Sequence, residues 1–486
     1  MKASLWASKT CRRLGPPERT LVKTSRLSCC PSYCTPSKIC VPASLHCMSN
    51  LAMERSSQTS GDVYFHAIDG VEEMGRYCIG GYHPVSIGDR LNARYRVVHK
   101  LGHGSYSTVW LARDEQLQRL VAVKVCTADA SGQESKILSI LKSSSNVGHD
   151  DSVMSGRDMI PSVLDTFCVH GPHGTHTCLV TECVRCTLDD ARRRSWGLPL
   201  DLSVARAIAA QFVLAVAYMH RNGYVHGDLH VGNIHLRHLE NLDHLSDEEL
   251  YEEFWEPEYA PVKTFHDKRI PPTVPIAAIL PLRFPVRTDQ LSLSEARILL
   301  ADFGESYRPS EEQRLACRTP VHCRPPEDRF EPSEPRSFPS DIWTLACSIW
   351  GIIGQQSLFE SFMPCEDKTA SIQVELLGKL PPEWWARWET RSEYFTEDGE
   401  ILDDDRHLWT WEFQFETTVQ EWRRERGMEI VGLEEKEALY AMLKPMLAYK
   451  PTERCSVSDV LKSKWMTEWG MPGYEKLLMR EKGLKE

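Results

Sequence analysis

Four short groups of residues follow one another along the 486-residue chain, and each is built of types that handle phosphate. In Gly102-His103-Gly104-Ser105-Tyr106-Ser107-Thr108-Val109, two glycines let the backbone come close to an anion that a Cβ would hold off. Lys124 ends Val121-Ala122-Val123-Lys124 and offers a point charge to phosphate oxygens. His226-Gly227-Asp228-Leu229-His230-Val231-Gly232-Asn233 supplies a carboxylate, Asp228, that can orient a hydroxyl and accept its proton. Asn233 and Asp302, the latter opening Asp302-Phe303-Gly304, carry the hard oxygens that Mg²⁺ takes. A phosphate cradle, a fixed cation, a base and two magnesium ligands in this order imply phosphoryl transfer from ATP to a hydroxyl.

The flanking sequence supplies a scaffold for these groups. Tyr95 to Leu101, Thr108 to Ala112 and Leu120 to Val125 read as strands around the glycine turn, and Thr177 to Glu182 as a further strand. Glu134 to Leu141 reads as a helix with Ile137, Leu138 and Leu141 on its apolar side, and Glu134 is the candidate anion for Lys124. Beyond Leu202 the pattern is helical: Val204 to Met219, Ser340 to Ile353, Leu433 to Leu447, and Ser456 to Trp465 with Ser456 as N-cap. A small β-rich lobe thus precedes a large helical one, an α+β arrangement.

Asn233 and Asp302 lie 69 positions apart, whereas the protein-kinase pattern keeps its catalytic and magnesium loops about 13 apart. Residues 237–296 therefore read as an insert. Its stretch from Asp243 to Glu258 holds eight carboxylates and no Lys or Arg. Ser246-Asp247-Glu248-Glu249 reads as a capping box opening a short helix. The acids are either a solvated face, the preferred reading, or a surface for basic substrates.

The net charge is −11, with eight Lys/Arg and one Asp/Glu in residues 1–50. That leaves about −18 on the remainder, which disfavours nucleic-acid binding and suits a basic protein or peptide. Residues 1–60, rich in Ser, Cys, Pro and Arg, read as a disordered extension; a mitochondrial targeting segment is the second reading. No long apolar leader opens the chain, and the 17 cysteines read as free thiols of a reducing compartment. His170, His173, His176 and Cys178 read as a turn between strands ahead of a metal site, and Trp384, Trp385 and Trp388 as packing.

Two positions depart from the protein-kinase pattern. Gly227 stands where an arginine usually reads activation-loop phosphate, which argues against switching by loop phosphorylation. His230 stands where a lysine usually neutralises γ-phosphate charge; a neutral imidazole donates one hydrogen bond, so that stabilisation becomes weaker or pH-dependent. Other positions keep to it. Arg324-Pro325-Pro326-Glu327 places Glu327 to pair with Arg454, and Asp341 of Ser340-Asp341-Ile342-Trp343 is placed to hold the catalytic loop.

Gly81-Tyr82-His83-Pro84-Val85-Ser86-Ile87-Gly88-Asp89, running on through Asn92 to Gly102 and Ser107-Thr108-Val109-Trp110, closely resembles the SR-protein kinase family, whose members phosphorylate serines in Arg-Ser repeats of splicing factors. Ser107 at the third glycine position, the insert, and Glu375-Leu376-Leu377-Gly378-Lys379-Leu380-Pro381 agree with it. Leu179-Val180-Thr181-Glu182 and His226 to His230 resemble its divergent branch in filamentous fungi. The resemblance covers about residues 75–470 and implies a bilobal eukaryotic protein-kinase fold, with the small lobe at 75–184 and the large lobe at 185–236 and 297–470.

It further implies an ATP site of Leu101, Gly102, Gly104, Val109, Ala122, Lys124, Glu134, Glu182, Val184, Asn233 and Asp302, with Mg²⁺ on Asn233 and Asp302. Asp228, Lys124 and His230 are the catalytic candidates. An acidic groove would dock Arg-rich peptide, with Asp367 and Glu375 near its acids. Arg/Ser-rich protein substrates, constitutive activity, a role in splicing regulation, a monomer without membrane or direct nucleic-acid contact, and a place in cytoplasm and nucleus also follow from the resemblance. Two rival readings stand beside it. His230 motivates a catalytically feeble binding protein that keeps the fold. His226 to His230 with Asn233 also resembles aminoglycoside and choline phosphotransferases, against which Glu327, Asp341 and Arg454 speak.

Overall fold

The computed structural model describes residues 63–143, 156–195, 198–237, 242–354, 356–361, 363–402 and 409–483. The expected disordered extension, residues 1–60, lies outside the described residues.

The small lobe is a six-stranded antiparallel sheet in the order β1-β2-β3-β4-β6-β5. Its strands are β1 (Arg90–Leu91), β2 (Tyr95–Gly104), β3 (Ser107–Asp114), β4 (Arg119–Cys126), β5 (Val163–Gly171) and β6 (Gly174–Glu182). Gly104 pairs with Ser107, so the glycine segment is a tight hairpin with Ser105 and Tyr106 at its tip. Helix α1 (Gln133–Ser143) lays Ile137, Leu138 and Leu141 against the core. After β6 the chain crosses through β7 (Val184–Thr187) and α2 (Leu188–Arg194) into the large lobe. There β8 (Ile234–Arg237) pairs with β7 on one side and β11 (Ile298–Leu300) on the other, while β9 (Tyr259–Pro261) and β10 (Ala277–Ile279) pair with each other.

The large lobe is built round α3 (Leu202–Arg221), whose Ala- and Val-rich faces are buried almost all round. It is long and apolar enough to cross a membrane by length and composition, but 83% of that window lies inside the fold as a core helix. The helix ends at Asn222-Gly223, where Gly223 takes φ +80°. Further along come α4 (Asp247–Phe254), α5 (Phe338–Ile353), α6 (Glu366–Leu377), α7 (Leu433–Met446) and α8 (Met471–Glu481). The helix expected at Ser456–Trp465 is shorter, Val457–Leu461, with Ser456 as its N-cap. The chain breaks there because Ser463 Oγ accepts from Met466 N (3.3 Å) and starts a second helical run towards α8.

The insert is folded onto the small lobe. Ser246 caps α4 in a full capping box with Glu249. Asp247 at its first turn pairs with Arg96 (2.5 Å) and Arg113 (3.3 Å), and Asp243 Oδ1 accepts from Leu120 N (2.6 Å). Tyr251 Oη donates to Val98 O (2.9 Å), and Leu282 N to Lys100 O (2.7 Å). The acidic stretch is therefore not simply a solvated face, because two of its acids fasten it to strands β2, β3 and β4. This cover also changes β2. Val97, Val98, His99 and Lys100 are all buried, so the strand does not keep the alternation that its sequence predicts.

A bidentate ion pair locks the large lobe. Arg454 Nη1 and Nη2 donate to Glu327 Oε1 (2.8 Å) and Oε2 (2.6 Å), with both groups buried. Carbonyls of Pro339, Ala448 and Tyr449 take the remaining guanidinium donors, and the ring of Trp343 lies 5.0 Å away. Glu327→Gln leaves that guanidinium buried without its counter-charge. It is expected to cost about 3–5 kcal/mol, read as a lower urea midpoint at unchanged slope. Lys464→Ala, which breaks an exposed pair with Glu434, leaves the midpoint in place; equal shifts for the two variants would contradict the assignment. Asp247→Ala severs both arginine contacts, and trypsin is expected to cut faster at Lys263, Lys268 or Arg269 while the large lobe stays intact. An unchanged cleavage rate would show that Asp247 does not fasten the insert.

Candidate active site

The phosphate-handling residues converge where the two lobes meet. Lys124 projects from β4 and meets Glu134 Oε2 of α1 at 2.6 Å and Asp302 Oδ1 at 3.0 Å. Glu134 sits in the first turn of α1, at the end of the helix that meets Lys124. Its other oxygen accepts from Phe303 N (3.3 Å), so one carboxylate touches both the lysine and the loop after β11. Burial alone would lower the Lys124 pKa, but the charges of Asp302 and Glu134 outweigh it and the value lies above the usual range. The Lys124 charge in turn draws the Asp302 carboxyl down to about 2. Asp302 takes a left-handed conformation (φ 60°, ψ 71°), which leaves its carboxylate half exposed. Phe303 is buried edge-on against the ring of His226 (5.2 Å).

The loop carrying Asp228 hangs on a buried carboxylate. Asp341, in the first turn of α5, accepts from His226 N (2.7 Å), Gly227 N (3.0 Å) and His220 Nε2 (2.9 Å). Ser306 Oγ donates to His226 O (3.1 Å), and Val225 pairs with Tyr307. Asn233 Nδ2 donates to Asp228 O (2.8 Å), which leaves its amide oxygen as the atom available to a cation. Asp228 Oδ1 is buried and has no hydrogen-bond partner among the described residues. His230 accepts from Gly232 N at Nδ1 (3.1 Å), so the proton of its neutral form sits on Nε2, 3.6 Å from Asp228 Oδ1. Burial pushes the His230 pKa down, but Asp228 outweighs it and the value is raised.

Gly227 has a steric reason. Its φ is +82°, and a Cβ there would stand 2.8 Å from Glu305 O. Glu305 itself pairs with Arg314 (3.1 Å) and lies 3.8 Å from Arg318, and Cys317 Sγ rests on Gly227 O (3.5 Å). The segment after Phe303 thus packs directly on the catalytic loop.

The cleft above these groups is open. A Cβ on Gly102 or Gly104 would meet nothing within 4 Å, so the hairpin leaves room beneath it. Leu101 and Val109 are partly buried and Ala122 is buried in the same sheet. Glu182 is turned to Arg237 (2.7 Å), and Val184 stands opposite Arg237 in the β7–β8 ladder.

The expected docking acids each have one oxygen engaged within their own lobe. Asp367 Oδ1 accepts from Arg329 (2.5 Å), Trp388 Nε1 (2.8 Å) and Thr390 Oγ1 (2.5 Å), and Glu375 Oε2 accepts from Trp409 N (3.3 Å). Both carboxylates remain partly exposed. The histidines near the β5–β6 turn are likewise engaged: His173 Nδ1 with Tyr82 O (2.6 Å) and His176 Nδ1 with Cys126 O (3.0 Å). Sequence reasoning missed the Lys124–Asp302 contact and the roles of His220 and Glu305. Only the Asp302-Phe303-Gly304 motif carried a signal for the first; the other two had none.

A family model for the protein kinase domain matches residues 95–247. The serine/threonine-protein kinase SRPK of Physarum polycephalum is 26% identical over 447 residues, 84% of this chain and 93% of that protein. The kinase spk-1 of Caenorhabditis elegans is 38% identical over 169 residues, 34% of this chain and 16% of that protein. Human SRSF protein kinase 3 is 36% identical over 166 residues, 34% of this chain and 29% of that protein. A crystal structure of a kinase domain superposes with a TM-score of 0.51 over 79% of this chain and 98% of the other, at 18% identity, which speaks for the fold. The chain thus carries a protein-kinase domain of the serine/threonine type and is similar to SR-protein kinases over most of its length.

Proposed function

We propose that the chain transfers the γ-phosphoryl group of ATP to serines of Arg/Ser-rich proteins, from a site already set for transfer. The Lys124–Glu134 pair at 2.6 Å carries this reading, with Asp302 on the same ammonium and Phe303 buried beneath it. Lys124 binds and orients phosphate oxygens. The Asp228 carboxylate, held by Asn233 and flanked by His230, accepts a hydrogen bond from the substrate hydroxyl and then its proton. Asn233 and Asp302 present oxygen donors from two loops, a set that fits Mg²⁺. When bound there the ion supplies positive charge to the phosphate oxygens. His230, beside Asp228, takes the place of a permanently charged lysine; burial lowers its pKa, but the Asp228 carboxylate outweighs this and raises it.

The substrate reading is supported by the acidic body of the chain and by the SRPK and SRSF protein kinase relatives. A weakly active binding protein is the second reading, and it rests on His230.

Transfer of γ-phosphate from Mg-ATP to an Arg-Ser repeat peptide is expected, with Asp228→Asn lowering kcat by about 10²-fold or more. Nucleotide binding without any transfer would sink the active-kinase reading, and transfer to a small alcohol but not to peptides would sink the substrate. His230 also sets a pH dependence. Its pKa is raised, so the imidazolium is present at low pH and is lost as pH rises through that value. The rate should fall several-fold as pH rises through that raised value in the native enzyme, and this limb should vanish in His230→Lys. Parallel profiles for the two proteins would remove His230 from the catalytic charge set.

A further inference from the structure

The glycine hairpin is not free at its outer side. A segment ahead of the sheet, Glu72 to Tyr82, runs across it. Its root is a buried ion pair between Glu72 and Lys100 of β2, with Tyr77 Oη donating to Glu72 Oε1 (2.6 Å) and Lys100 lying 5.6 Å from the Trp110 ring. Gly80 N donates to His173 O (2.9 Å), while Gly80 O and Gly81 O accept from Asp129 N (2.8 Å) and Ala128 N (3.1 Å). The segment is therefore stitched to the β5–β6 turn and to the end of β4.

Two of its side chains reach the hairpin tip. Tyr82 Oη donates to Gly104 O (2.7 Å), and Arg76 Nη1 donates to Ser105 O. The Arg76 guanidinium lies between the rings of Tyr82 (5.0 Å) and Tyr106 (5.8 Å). Tyr106 O also accepts from Thr127 N (2.8 Å). A peptide unit is planar and trans, so fixing a carbonyl oxygen aims the following N–H the opposite way. Holding Gly104 O and Ser105 O outward thus turns the N–H groups of Ser105 and Tyr106 away from the segment. Neither N–H finds an acceptor among the described residues. Successive unpaired N–H groups beside a glycine backbone form an anion-binding concavity.

We propose that Arg76 and Tyr82 are positioning residues of the nucleotide site: from outside the cleft they hold the hairpin tip in the form that receives the nucleotide phosphates. The inference rests on the reading that ATP binds under this hairpin. A tip held before binding loses less freedom when the nucleotide arrives. The contacts are the same before and during transfer, so they act on affinity and not on the chemical step.

The test is the dissociation constant for Mg-ADP, KM and kcat for ATP, thermal midpoint and amide exchange of the native protein, Tyr82→Phe, Arg76→Met and Arg76→Lys, with Lys124→Met as reference. Tyr82→Phe keeps the ring and removes the one hydroxyl. It should raise the dissociation constant and KM about three- to tenfold, the span of one lost hydrogen bond. The thermal midpoint and kcat should hold, and exchange should speed up at residues 104–107. Arg76→Met should do the same or more, and Arg76→Lys should recover part of the loss. Native-like affinity and exchange in both Tyr82→Phe and Arg76→Met overturn the proposal, as does a fall in kcat without a change in KM. No Mg-ADP binding by the native protein, or binding indifferent to Lys124→Met, would instead overturn the underlying reading of the site and this inference with it.

Discussion

Much of the architecture follows from one partly buried ammonium. Lys124 leaves β4 with its Nζ between two carboxylates that come from α1 and from the loop after β11. A single acid would leave such a charge under-compensated in a cleft of low dielectric, and the second removes that deficit. The geometry propagates: Glu134 also takes Phe303 N, so the position of α1 fixes the magnesium loop, and Phe303 seals the gap against His226. The small lobe supplies the lysine and one acid, and the large lobe supplies the other acid. The lobes are therefore registered to each other by charge at the point where phosphate is to be handled.

The large lobe answers with a second buried carboxylate. Asp341 takes two backbone N–H groups and one imidazole, which leaves the loop around Asp228 little freedom. Asp341 can do this because α5 is itself held: its first turn carries Ser340, whose Oγ donates to Glu327 Oε1 (3.0 Å), and Glu327 is clamped by Arg454. A chain of buried polar groups, each satisfied by the next, runs from the end of the fold to the catalytic loop.

These groups were legible in the sequence for a physical reason. Each needs one residue type at one backbone spacing, and the spacing is local: Asp228 and Asn233, Gly102 and Gly104, Glu327 within Arg324-Pro325-Pro326-Glu327. What stayed hidden depends on contacts distant in sequence. The polar-looking half of β2, His99 and Lys100, is buried because Tyr251, Leu282 and Glu72 cover it, and none of these is near it in the chain. Asp367 looked free because Trp388 and Thr390, which occupy it, follow some twenty residues later. The end of the helix at Leu461 turned on Ser463, a capping residue inside an apparently continuous pattern.

The departures at Gly227 and His230 and the fastening of the hairpin act on different parts of the reaction. At Gly227 the chain gives up a cation and gains close approach of Glu305 O, so the segment after Phe303 is set by packing and by Glu305 with Arg314. At His230 a titrating imidazole stands where charge develops on the transferring group, which weakens stabilisation felt most in the transition state. The pinned hairpin strengthens an interaction felt equally by bound nucleotide and transition state, which raises affinity without lowering the barrier from the bound complex. The two changes do not cancel. Under the proposed function, and with the hairpin pinned as we propose, they would give an enzyme that holds its nucleotide well and turns it over modestly, with its rate tied to the protonation of one histidine.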